Sequence, residues 1–276
     1  MSVTSATAAE STRRSSGPSR REFFWLLVRR DLKVRYAGST LGAAWNLIHP
    51  VVMIAIYIAI FSALIPRGEG AAPYDYARHL CAGMLVWLAF AETLGRSVTA
   101  LIDNRAFLQK ISFPPWLLHA SIFFNVLLVH GVGSIALAAI LIALGVRPTA
   151  GWLAIFPLMV MAAGAASGLG LMLSAIHVFF RDAAQAIQIL LQVGFWFNPI
   201  VYTKGLLAAS IGEGAATWLS LNPVEHFVSL AQSAIGASTA APAPSAVAVV
   251  LLFPAVCIGV GRIVFIRLLP EARDGL

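Results

Sequence analysis

Apolar runs organise this chain. Six of them, at about 43–65, 80–102, 116–144, 151–179, 183–202 and 245–268, are each about the 20 residues needed to cross roughly 30 Å of hydrocarbon. They lack the short alternating segments of a membrane barrel. The pattern therefore predicts an all-α integral membrane protein with six transmembrane helices. The third and fourth runs are long enough to tilt or to project beyond the bilayer.

The stretches between the runs have patterns of their own. In 21–36, Glu22, Arg29, Arg30 and Lys33 fall on one arc at 100° per residue, and Phe23, Phe24, Leu27, Val28 and Leu32 occupy much of the rest. This predicts an N-terminal amphipathic helix at the membrane interface. Asp31 and Arg35 intrude on its apolar side, at the i,i+4 spacing that lets them pair. The connection at 103–115 has helix-forming residues and ends at Pro114–Pro115, and the one around Arg181–Asp182 is very short. The 42 residues of 203–244 are too apolar for an ordinary loop, although 237–244, ASTAAPAP, reads as a true loop. The pieces LLAASIGEGAATWLSL and NPVEHFVSLAQSAIG predict two short re-entrant outer helices.

Composition agrees with this class. Of the 276 residues, 59% are hydrophobic and 11% charged, against about 25% charged in soluble domains. The net charge of +7 does not point to nucleic acid, because the cations gather at the ends of the apolar runs. With both termini inside, the cytoplasmic segments hold 15 of the 19 cations, so the positive-inside rule places both termini in the cytoplasm. Residues 1–20 are polar and Ser-rich, carry no cleavable leader pattern, and are expected to form a disordered cytoplasmic tail. The remainder, 21–276, reads as one transmembrane domain. Cys81 and Cys257 have no metal-like spacing, and their pairing stays open.

The candidate chemistry is that of a path rather than a catalytic centre. The chain has no G-x-x-x-x-G-K-[ST] phosphate loop, no H-E-x-x-H and no nucleophile elbow, and its histidines are scattered. In the first run Gly42, Trp45, Asn46, His49 and Met53 share a helical face, with Tyr57 nearby. In the fifth, Gln185, Gln188, Gln192 and Trp196 do the same. Amides facing lipid are unfavourable, so these faces look inward. Rings and amides together suit a sugar, which stacks through its apolar face and hydrogen-bonds through its hydroxyls. Helix-to-helix hydrogen bonding explains the amides equally well. Glu92 and Arg96, at i,i+4 in the second run, form a candidate intramembrane ion pair. Gly164 and Gly168, within AAGAASGLG, permit close helix approach.

Several stretches then carry a resemblance. RRDLKVRYAGSTLGAAWNLIHP (29–50) resembles the opening motif of the permease subunits of polysaccharide-exporting ABC transporters, which export O-antigen, teichoic acid and related polymers. WLAFAETLGRSV (87–98), NRAFLQKISFPPWLL (104–118), FFRDAAQ (179–185), FWFNPIVY (195–202) and LNPVEHFV (221–228) are similar to that family in the same order. The resemblance covers about 21–268. Asn198 departs from it, since family members often have a small residue or Thr before this proline, and the departure points to substrate.

The resemblance implies a homodimer in the cytoplasmic membrane, each copy docked on a separate ABC ATPase subunit, exporting a lipid-linked polysaccharide. This chain would then be no enzyme and would bind no cofactor of its own, ATP and Mg being held by the partner. Arg30, Asp31, Arg35, Tyr36, Lys110, Arg181 and Asp182 would couple to the ATPase or meet the lipid pyrophosphate. Trp45, Asn46, His49, Gln188, Gln192, Trp196, Phe197 and Tyr202 would line the path. Two other readings stay open. A permease for a lipid or drug is one, although such relatives usually carry a larger outer domain. An intramembrane transferase acting on a polyprenol-linked sugar is the other, and it would need acids and bases that cluster only in space.

Overall fold

The structure, a computed structural model, describes residues 19–64, 75–111, 113–143, 145–237 and 242–274. Side chains of Tyr36, Asn46 and His49 lie outside the described ones, as does the backbone of 1–18. Among the described residues the fold is all-helical: α1 (Arg20–Tyr36), α2 (Trp45–Leu64), α3 (Asp75–Asp103), α4 (Arg105–Lys110), α5 (Trp116–Ala143), α6 (Ile155–Phe179), α7 (Ala183–Trp196), α8 (Lys204–Ile211), α9 (Glu213–Leu219), α10 (Pro223–Ala234) and α11 (Pro244–Asp274). A 3-10 turn precedes α2, and a second one, Ala150–Ala154, leads into α6.

Among the described residues, four helices are long and apolar enough to cross a membrane: Asp75–Asp103, Trp116–Ala143, Ala150–Phe179 and Pro244–Ala272. The predicted fifth run, 183–202, is helical over only part of its length. Its helix α7 has 14 residues, about 21 Å at 1.5 Å per residue, short of a bilayer core. Hydropathy continues to Tyr202, but the helix ends at Trp196 because Pro199 cannot extend it. The side-chain amide of Asn198 donates to the Gly194 carbonyl at 2.6 Å, satisfying an acceptor that the lost turn leaves open. Asn198 is therefore a buried helix-ending residue, 1% exposed, and is not placed to read substrate.

Residues 204–234 form three short helices rather than the two expected. The first predicted piece breaks at Gly212, whose φ of +99° suits glycine and interrupts the helix between α8 and α9.

α6 is the centre of the core, packed between α3 and α11. Its face of Ala162, Ala163, Ala165 and Ala166 is fully buried. Small side chains let the backbones nearly touch. A Cβ on Gly261 would lie 1.9 Å from the Gly168 carbonyl oxygen, and one on Gly170 would lie 2.2 Å from Ser97 Cβ. Gly168 thus makes the close approach that the sequence predicts, with α11 as its partner. Cys81 and Cys257 are both buried and free.

α1 opens on a reciprocal cap. Ser19 N–H donates to Glu22 at 2.8 Å, and Glu22 N–H donates to the Ser19 hydroxyl at 3.3 Å. The Ser19 N–H holds the Glu22 carboxyl below its ordinary range, with a smaller contribution from the Ser19 hydroxyl. The apolar side of α1 does not simply face outward. Phe23, Leu27 and Val28 are buried, and Trp25 meets Phe124 of α5 edge-on at 5.2 Å.

Candidate functional site: a charge relay beside a polar cavity

Two groups of polar side chains stand at opposite ends of the long helices. The first joins α1 to α3 and α5. Arg35 donates to Glu92 Oε1 at 2.5 Å, and Arg96 donates to both oxygens of Asp31 at 2.5 and 2.6 Å. Arg96 also approaches Glu92 at 3.4 Å, the ion pair expected from its i,i+4 spacing. From α5, Asn125 donates to Asp31 at 2.6 Å, and His130 Nε2 lies 3.0 Å from Glu92. The expected Asp31–Arg35 pairing within α1 is thus corrected to a crosswise one. Each residue finds its partner on the long neighbouring helix, where an opposite charge stands on a half-buried side chain.

Arg30 extends the group. Its guanidinium donates to Asn104 Oδ1 at 2.5 Å and lies 4.5 Å from the centroid of the Phe107 ring, which ties α1 to α4. Lys110 is exposed at the end of α4. Arg181 and Asp182 are exposed in the tight turn between α6 and α7, where Ala183 N–H bonds the Phe180 carbonyl at 3.0 Å. They stand apart from the relay.

Beside the relay lies a cavity of about 670 Å³, lined by Tyr57 of α2, Trp87, Glu92, Gly95 and Arg96 of α3, and Gln185, Gln188, Gln192, Phe195 and Trp196 of α7. Glycines set its shape. A Cβ on Gly95 would stand 3.0 Å from Gln188 Nε2, and one on Gly194 would stand 3.0 Å from the Trp87 ring. Each helix therefore seats a side chain of the other over a glycine. Tyr57 and Phe195 rings are 5.9 Å apart, and Phe195 and Trp196 meet edge-on at 5.3 Å. The cavity offers amides, aromatic faces and two charged groups, a lining suited to a hydroxylated ligand. A second cavity of about 560 Å³, lined by Arg30, Asp31, Asp103, Asn104 and Ser121 among others, meets the first at Arg96.

Some of the residues expected to line a path surround this cavity. Gln188, Gln192 and Trp196 come together, but Tyr57 is what α2 brings to them. Trp45 stands 52% exposed at the start of α2 and Phe197 62% exposed after α7. Tyr202 turns back, its hydroxyl donating to the Trp196 carbonyl at 2.7 Å. Asn125 and His130 are additions that the polar-face reading passed over. Their signal was present, since a lone amide and a lone imidazole in an otherwise apolar span need partners.

The second polar group fastens the opposite end. Gln232 of α10 donates to the Pro199 carbonyl at 2.7 Å and meets His79 Nε2 at 3.2 Å, while His79 contacts the Tyr202 carbonyl at 3.1 Å. Lys204 lies 2.7 Å from the fully buried Glu225. These contacts bind the turn after α7 to α3 and α10. Among the described residues no cluster of His, Cys, Asp and Glu could hold a metal ion.

Known proteins match most of this chain. A family described as ABC-2 type transporter matches residues 22–235. An O-antigen export system permease protein RfbA of Myxococcus xanthus is 31% identical over 201 residues, 72% of this chain and 74% of that protein. Two proteins of the same description from Klebsiella pneumoniae are 28% and 27% identical, each over 74% of this chain and 76% of their own length.

Proposed function

This chain belongs to the ABC-2 type transporter family, and from that premise we propose that it exports a lipid-linked polysaccharide, O-antigen-like or a related surface glycan, across the cytoplasmic membrane. It is a multi-pass membrane permease. Two copies form the pathway, and each rests on a separate ATPase subunit that holds ATP and Mg. The chain makes six crossings, α2 and then α7 with its following turn completing the four long apolar helices. Both termini lie in the cytoplasm, and α8 to α10 form the outer re-entrant region.

The observation that carries this reading is the junction of relay and cavity at Glu92 and Arg96. α1 lies at the membrane surface and takes up movement from the ATPase, together with α4 and the Arg181–Asp182 turn. Arg35 and Asp31 pass that movement to α3 through their ion pairs with Glu92 and Arg96. α3 forms one wall of the cavity, so a shift of α1 changes the gap between α3 and the glutamine face of α7. The glycan moves past Gln188, Gln192, Trp196 and Tyr57. Rings that stack and amides that exchange partners hold it loosely enough to pass, as conduction requires.

The test is depletion of this protein in its own cells, followed by fractionation of lipid-linked glycan. The proposal expects polymer to build up on the cytoplasmic side and to disappear from the surface. Normal surface glycan without an internal backlog would overturn it and bring a lipid or drug cargo forward. Accumulation of an unextended sugar–lipid precursor would point to a transferase.

A further inference from the structure

The charges at the edge of the cavity between α3 and α7 are already paired. Arg96 donates to both oxygens of Asp31, at 2.5 and 2.6 Å. Glu92 accepts from Arg35 at 2.5 Å and faces His130 at 3.0 Å. Two carboxylates and two guanidinium groups therefore offset each other there. Among the described residues no other acid, arginine, lysine or histidine lines the cavity. The α7 wall carries no charged residue from Ala183 to Trp196.

The uncharged groups of the lining are the ones without partners. Gln185, Gln188 and Gln192 all face the cavity, and among the described residues none of their amides is hydrogen-bonded within the chain. They are therefore not used to tie α7 to its neighbours, the other role that amides take in a span. Each offers an NH2 donor and a carbonyl acceptor. Their i, i+3, i+7 spacing sets them about 4.5 and 6 Å apart along the axis of α7. Trp87 and Phe195 stand beside them, with ring centroids 6.3 Å apart.

A hydroxyl both donates and accepts, so it satisfies such an amide in either orientation. A carboxylate or phosphate only accepts, and it leaves amide carbonyls facing an anion. Pores that pass anions instead present rings of Arg or Lys. An anionic unit here would be repelled by Glu92 and would compete with Asp31 for Arg96, disturbing the relay at every step. A neutral unit exchanges hydroxyls among the amides and leaves the relay intact.

We infer that the polymer passing this cavity has a repeating unit of neutral sugars, with no uronate or phosphate. The inference rests on the reading of this chain as a glycan exporter and adds the class of glycan. It concerns the repeating unit and not the phosphates of the lipid end, which pass once per polymer.

The test captures the moving polymer at the cavity. A benzophenone amino acid is placed at Gln192, cells are illuminated during export, and the crosslinked chain is digested with protease. The glycan on the recovered peptide is hydrolysed and assayed for uronate and phosphate. The expected result is neutral sugars, with no uronate and no phosphate beyond that of the lipid end. A uronate or phosphate in every repeat would overturn the inference and leave the exporter reading standing. Continued export with no glycan captured would overturn the path through this cavity, and the inference with it. Should the substituted chain not export, the lipid-linked polymer that builds up in depleted cells is hydrolysed and assayed in the same way. A charged repeat in that polymer again overturns the inference alone, and a lack of any polymer overturns the exporter reading as well.

Discussion

Arg35 of α1 donates to Glu92 of α3 at 2.5 Å across 57 positions of sequence. The bond joins a surface helix to a wall of the polar cavity, since Glu92 belongs to both. Arg35→Ala leaves the Glu92 carboxylate to His130 and to the longer Arg96 contact. Arg35 is exposed, and an exposed ion pair contributes about 0–1 kcal/mol, so the variant should stay folded. Export should fall sharply while the protein remains in the membrane and bound to its ATPase. Combining Arg35→Glu with Glu92→Arg should restore part of the export lost in either single variant. Normal export by Arg35→Ala would remove the bond from the mechanism.

The cavity wall gives a second expectation. Trp196→Ala and Gln188→Ala should slow polymer export several-fold without loss of assembly with the ATPase, measured by co-purification. Gly95→Val should act in the same direction, because its side chain would displace Gln188 from its seat at 3.0 Å. Loss of assembly in Trp196→Ala would instead assign α7 to packing.

The α6–α11 crossing should tolerate no side chain at its closest point. Gly261→Leu would drive carbon into the Gly168 carbonyl. Overpacking costs about 1–3 kcal/mol where neighbours can yield, and here the neighbour is backbone. A strongly lowered thermal midpoint in detergent, with low membrane levels, is the expected outcome, and an unchanged midpoint would refute this packing.

Much of this organisation was legible in the sequence. The long apolar runs gave α3, α5, α6 and α11, and the mixed pattern of 21–36 gave α1, because length and period report directly on a helix in a bilayer. The glutamine face of α7 was legible for the same reason. What hydropathy could not report was choice of partner. Asp31 and Arg35 have a local solution at i,i+4, yet Glu92 and Arg96 are available only once α1 has docked. The end of α7 was missed because Phe197 to Tyr202 is as apolar as a helix interior, while Pro199 and the Asn198 amide set the turn. Gly212 is similar: its role as a break rests on a positive φ that composition does not reveal.

The turn after α7 supplies a further expectation. Gln232→Leu removes the donor that holds the Pro199 carbonyl at 2.7 Å and the partner of His79. Leaving buried polar atoms unpaired costs about 1–3 kcal/mol. The thermal midpoint should drop, and Gln232→Glu should not restore it, because a carboxylate cannot donate to that carbonyl.

The central claim is that glycan passes between α3 and α7, and site-specific photocrosslinking tests it most directly. A benzophenone amino acid is placed at Gln188, at Gln192, or at the exposed Leu252 of α11 as a control. The cells are illuminated during active export. The account predicts glycan attached to the chain at 188 and 192 and none at 252. Continued export with no glycan captured at either α7 position would contradict it.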